Sequence, residues 1–135
     1  MSKVRSALRS VGAVLAGFAV IAVGTTLTFT VLLDGISFHE SSLTELAIAT
    51  IGALASGLAG GFVAARLAGR HPLRHAGALA IPISLDTGSI LLSNTNSDPW
   101  WFDLGGGTTL LLGAVVAGYL LKTRLQSHEV SAQPG

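Results

Sequence analysis

Asp86 stands in Ala80-Ile81-Pro82-Ile83-Ser84-Leu85-Asp86-Thr87-Gly88-Ser89-Ile90, an acid inside an otherwise apolar run. A charge in such a place costs about 2.5–3.5 kcal/mol on insertion scales, so it is expected to face other helices or water. The groups within its reach are hydroxyls: Ser84, Thr87 and Ser89 beside it, and Thr25, Thr26, Thr28 and Thr30 on another run. His39 is the one candidate cation. Two chemistries follow. Asp86 either holds a proton or cation, in a helix loosened by Pro82 and Gly88, or ties its helix to a neighbour through Ser84, Thr87, Thr26 and Thr30.

Other patterns offer less. His71 and His75 are four apart, the spacing of two metal ligands on one helical face, yet Pro72 intervenes and no third ligand is evident. They read as interfacial residues beside Arg70 and Arg74, and no metal is expected. Gly105-Gly106-Gly107 lacks the lysine of a phosphate loop and reads as a helix start. No Ser or His sits in a nucleophile elbow, a triad or a zinc-protease motif. The absence of cysteine excludes disulfides, thiolate sites and iron–sulfur clusters. The expectation is a protein with no catalytic residues and no cofactor.

The elements that position Asp86 follow from composition. Of 135 residues, half are hydrophobic and only 11% charged, with mean hydropathy +0.64. Soluble domains carry about 25% charged residues. A net charge of +1 gives no field for a phosphate backbone, so nucleic acid is not an expected partner. The partner is the lipid bilayer. Four apolar runs fit it: Val11 to Leu33, Leu46 to Ala65, Ala76 to Leu92 and Leu104 to Leu121, of 23, 20, 17 and 18 residues. A helix needs about 20 to cross the hydrocarbon core. The class is therefore all-α, an integral membrane bundle of four transmembrane helices in antiparallel up-down hairpins. It forms one domain over 1–122, with helices at about 10–33, 43–66, 75–92 and 102–121 and a disordered tail over 123–135. The first run exceeds a cleavable signal sequence and reads as a retained helix.

All eight basic residues fall on one side of that arrangement: Lys3, Arg5 and Arg9; Arg66, Arg70 and Arg74; Lys122 and Arg124. By the positive-inside rule both termini are cytoplasmic; the plasma (inner) membrane is the location implied by the resemblance given below. Asp34, Glu40, Glu45, Asp98 and Asp103 gather at the other side, which leaves Asp86 without a basic partner in its half of the membrane. Asp34-Gly35 forms a turn, Ser42 to Glu45 a capping box, and Ser93 to Pro99 the second outer loop. Trp100 and Trp101 at one end of the fourth run and Tyr119 near the other are interfacial anchors.

Small residues supply the packing. Ala53, Gly57, Gly61 and Ala65 recur every four residues, and Gly52, Ser56, Gly60 and Ala64 form a second row beside them. Ala13 and Gly17, Gly113 and Ala117, and Ala114 and Gly118 provide matching faces. Close backbone approach substitutes for the hydrophobic drive that lipid removes. Packing inside the bundle is the leading reading of these rows; the alternative is that one of the two faces on the second helix serves another subunit or a second copy.

The stretch Ala59-Gly60-Gly61-Phe62-Val63-Ala64-Ala65-Arg66, with Pro72 and His75-Ala76-Gly77-Ala78, resembles small four-helix bacterial inner-membrane proteins of unassigned function. That resemblance implies location and fold, and no activity. Small multidrug-resistance transporters carry their essential carboxylate in the first helix, where this chain has none. The leading expectation is a non-enzymatic membrane protein, an accessory or structural component acting through helix packing. The alternative is a homo-oligomeric small-solute or proton/cation-coupled transporter using Asp86. The topology is directly testable in this cysteine-free chain. Ser6→Cys and Ser127→Cys should react with a membrane-impermeant maleimide from one side, and Glu40→Cys from the other.

Overall fold

The computed structural model describes residues 2–69, 71–93 and 97–131, and it is helical throughout apart from short connections. Arg70, residues 94–96 of the second acidic-side loop and residues 132–135 lie outside the described residues, as do the side chains of Lys3 and Glu129. Helix α1 covers Ser2–Thr26 and continues as a π-helical segment, Leu27–Leu32. Then come α2 (Leu43–Ala68), α3 (Pro72–Ala78), α4 (Ala80–Ser93) and α5 (Trp100–Ser131). Four spans are long and apolar enough to cross a membrane: Val4–Leu32, Leu43–Ala68, Pro72–Ser93 and Trp100–Ser127.

Local chemistry explains the boundaries. The Ser42 hydroxyl accepts from the Glu45 amide (3.3 Å) while the Glu45 carboxylate accepts from the Ser42 amide (2.7 Å), so the expected capping box opens α2. Gly69 ends α2 at φ +72°, a conformation that a Cβ would strain. Pro82 has no amide proton to donate, and its ring crowds the carbonyl four residues back, at Ala78. The third span accordingly breaks at Leu79, whose amide donates to Ala76 (3.2 Å) before Ile83 resumes the ladder to Leu79 (3.1 Å).

Two expected boundaries are corrected. α5 does not stop at Leu121 but runs to Ser131, so residues 123–131 continue a helix rather than form a tail. Nothing in the sequence of residues 123–131 breaks the helix, which contains neither Gly nor Pro there. The first span does not remain a simple α-helix to Leu33. The Leu33 amide reaches back five residues to Thr28, which widens the last turns and shifts the faces that its threonines present.

The core is built from small residues. Helix α2 lies between α1 and α5 and packs most extensively on both. Gly17 approaches Gly60 and Ala64, and Gly24 approaches Ser56, so the Gly52-Ser56-Gly60-Ala64 row faces α1. Gly57 and Gly61 lie against the backbone of Leu110 and Ala114, and Gly113 against Leu54 and Leu58, so the other row faces α5. Both rows are taken up inside the bundle, one against α1 and the other against α5. Gly118 packs on α3, against Ala76 and Leu73, rather than on α2. Leu79, Ile83, Ile21, Ala64 and Ala114 make the buried centre.

A Cβ added at Gly61 would stand 2.5 Å from the Ala114 Cα, where only backbone movement makes room, whereas Gly12 and Gly105 have open space around them. Gly61→Ala should therefore cost about 1–3 kcal/mol in a mixed-micelle unfolding titration. Gly12→Ala in the same assay should be neutral or gain up to about 1 kcal/mol.

Candidate functional site

Helix α4 is set apart from its neighbours. It packs on α5 and joins α3, with no substantial contact to α1 or α2. The gap this leaves toward the acidic end of the bundle is a cavity of about 480 Å³, bounded by all four spans and the first loop. Asp86 lines it. The residue is fifteenth in a span of 22, about 10 Å from the Ser93 end at 1.5 Å per residue, so it lies outside the midplane.

Thr87 lines the cavity as well, half-buried, with its hydroxyl against Gly107, where any side chain would displace it. Glycine at 107 thus leaves room for the Thr87 hydroxyl where α4 passes over α5. The expected partners on α1 are corrected. Thr26 and Thr30 are exposed and do not line the cavity, and Ser84 is exposed on another face of α4. Thr25 and Phe29 line it instead, because Thr25, not Thr26, shares the inward face with Ile21. Thr50 of α2 and Thr109 of α5 complete the set of hydroxyls. Each of these three threonines also donates to a carbonyl of its own helix, as Thr25 does to Ile21 at 2.9 Å, Thr50 to Leu46 at 2.8 Å and Thr109 to Gly105 at 2.9 Å. Their oxygens keep lone pairs to offer a ligand.

Two further acids, Asp98 and Asp103, line the mouth. Among the described residues no Lys, Arg or His lines the cavity, and His39 stays outside it, edge-on to Phe38 at 5.3 Å. The three acids are spread around the hollow. Among the described residues no three His, Asp or Glu side chains converge as a metal site would require, His71 and His75 included.

The mouth is roofed by the loop between α1 and α2. Asp34 and Gly35 both turn through positive φ, and the returning chain lays Ile36 over the cavity. Asp98 pins this loop by accepting from the Ser37 hydroxyl and the Phe38 amide, each at 2.9 Å. Phe38 meets Trp101 edge-to-face at 4.8 Å and Phe102 at 5.7 Å. Trp101, expected as an anchor, is therefore also part of an aromatic plug. Trp100 remains exposed, and Tyr119 lies about 28 Å along the same helix, close to the hydrocarbon thickness of about 30 Å.

Polar roof contacts and an apolar wall describe a ligand pocket of ordinary size, within the range of about 300–1,000 Å³. Compared with protein-family models, curated proteins and solved structures, the chain matches none. The function must therefore be argued from the cavity itself. Asp98→Ala leaves the Phe38 amide and Ser37 hydroxyl without their acceptor, so hydrogen exchange at the Phe38 amide should quicken about tenfold.

Proposed function

We propose that this chain is a multi-pass protein of the plasma (inner) membrane, with both termini cytoplasmic, that binds a small organic cation or protonated amine in the cavity beside α4. The observation that carries the reading is the meeting of Asp86, Thr87, Thr25, Thr50 and Thr109 in one hollow with no basic side chain on its lining. An acid in an apolar span is expensive to keep unless it serves a ligand, a proton or a contact. The volume suits an organic ion better than a bare one, and the aromatic residues at the mouth offer π faces to a cation. Coupled movement of a proton or cation through Asp86 is the transporter form of this reading. No catalytic constellation accompanies it, and we read the protein as non-enzymatic.

A second reading is favoured by one specific feature. The lipid-exposed flank of α4 presents Ile81, Leu85 and Leu92 on a helix that barely touches α1 and α2. A helix from another subunit seated there would make the protein an accessory component, in line with its resemblance to small four-helix membrane proteins of unassigned function. The small-residue rows of α2 no longer serve that reading, since α1 and α5 occupy both.

The deciding experiment measures binding and flux of a quaternary ammonium probe with the full chain in liposomes. Asp86→Asn removes the charge and keeps the shape, so affinity should fall at least tenfold, the loss expected for a charge-assisted contact of about 1.5–3 kcal/mol. Equal binding by the variant and the parent chain rules out the cation site. A heteromeric native mass from the source membrane would then support the accessory reading.

A further inference from the structure

At the opposite end of the bundle lies a second hollow, of about 750 Å³, which the Asp86 reading does not use. Its walls come from two places far apart in sequence: Arg5, Ser6 and Arg9 on the first turns of α1, and Gly69, His71 and His75 at the α2–α3 junction. We propose that this cleft binds a phosphate group, carried by the headgroup of an anionic phospholipid of the adjoining leaflet.

Three observations build the site. First, Arg9 is held in place rather than free: its Nε donates to the Leu67 carbonyl at 2.9 Å, across 58 residues of chain. That bond uses one donor of the guanidinium and leaves both terminal nitrogens for an oxyanion, the fork that suits phosphate. Second, the junction is shaped around it. Gly69 turns at φ +72° against the Arg9 terminal nitrogen, and His71 adopts the left-handed conformation at φ 54°. His75 Nδ1 lies 3.1 Å from the His71 carbonyl, which only accepts, so Nδ1 carries the hydrogen and the ring is oriented. Third, the charge is uncompensated. Among the described residues neither Arg5 nor Arg9 pairs with a carboxylate, and Arg5 makes no other polar contact.

Depth selects the headgroup as the source. Arg5 and Arg9 immediately precede the apolar run that begins at Val11, and His71 and His75 flank the start of the third span. The cleft therefore opens at the level where lipid phosphates sit, and basic pockets between helices at that level suit anionic headgroups. A general positive-inside bias explains arginines on this side, but not their convergence on one hollow with a fixed Arg9.

The test uses the full chain in phosphatidylcholine nanodiscs containing a minor fraction of phosphatidylglycerol, with lipid retention read by native mass spectrometry. The parent chain should retain phosphatidylglycerol at least tenfold over phosphatidylcholine. Arg5→Gln should lose about fivefold of that preference, the factor expected per basic contact, and Arg5→Gln/Arg9→Gln should abolish it. Lys122→Gln/Arg124→Gln removes equal charge from the same end outside the cleft, and should leave retention unchanged. Equal losses in the two double variants would overturn the site in favour of diffuse charge, as would no preference in the parent chain. Arg5→Gln is the check on folding, because Arg5 makes no polar contact among the described residues. Inorganic phosphate forms the second arm. Competition only at millimolar levels supports the lipid source, whereas tight binding of free phosphate with no lipid preference overturns it.

Discussion

The fold depends on how closely three backbones approach along α2. In lipid no hydrophobic gain draws helices together, so packing must come from contact. With hydrogen or methyl in place of a side chain at Gly57, Gly60, Gly61 and Ala64, α1 and α5 press directly on the α2 backbone. Two rows on one helix, facing two ways, make α2 the centre of a three-helix sheet of helices. Every other feature is arranged around that constraint.

One consequence is that α4 enters the buried centre at Ile83, in its first turn, and then leaves it. α3 reaches it, since Ala76 meets Gly118 and Leu79 is fully buried. Beyond Ile83, α4 packs chiefly on α5. The space between α4 and the α1–α2 pair is the cavity that Asp86 lines. Four threonines line it, Thr25, Thr50, Thr87 and Thr109. The loop that Asp98 pins then separates this hollow from the solvent at the acidic end.

The two ends of the molecule carry opposite chemistry for a physical reason. Acids and aromatic rings close one end, arginines and histidines open the other, and apolar helix of about 30 Å stands between them. Neither group of charges neutralises the other across that distance, so each remains available to a ligand from its own side. The acidic end offers oxygen acceptors around a half-enclosed space, and the basic end offers guanidinium donors at an open cleft.

Much of this was legible in residue order. Apolar run length set four spans, the Ser42–Glu45 box marked the start of α2, and the small-residue rows of α2 announced close backbone packing. Asp86 and Thr87 were legible as candidates because an acid among apolar neighbours is conspicuous in any fold, and both line the cavity. Thr25 in place of Thr26 and Thr30 was not, because a face on α1 depends on which side meets α2, and the wider turns after Thr26 change the register. The roles of Asp98 and Trp101 were hidden for a different reason: their partners Ser37 and Phe38 lie some 60 residues away, and no local pattern links the two loops. Run length, charge side and small-residue spacing are properties of short segments, and residue order alone decides them. Whether the second small face is spare, where the fourth helix fails to pack and which polar groups share a hollow depend on all the backbones competing for the same contacts, and only the assembled bundle decides that.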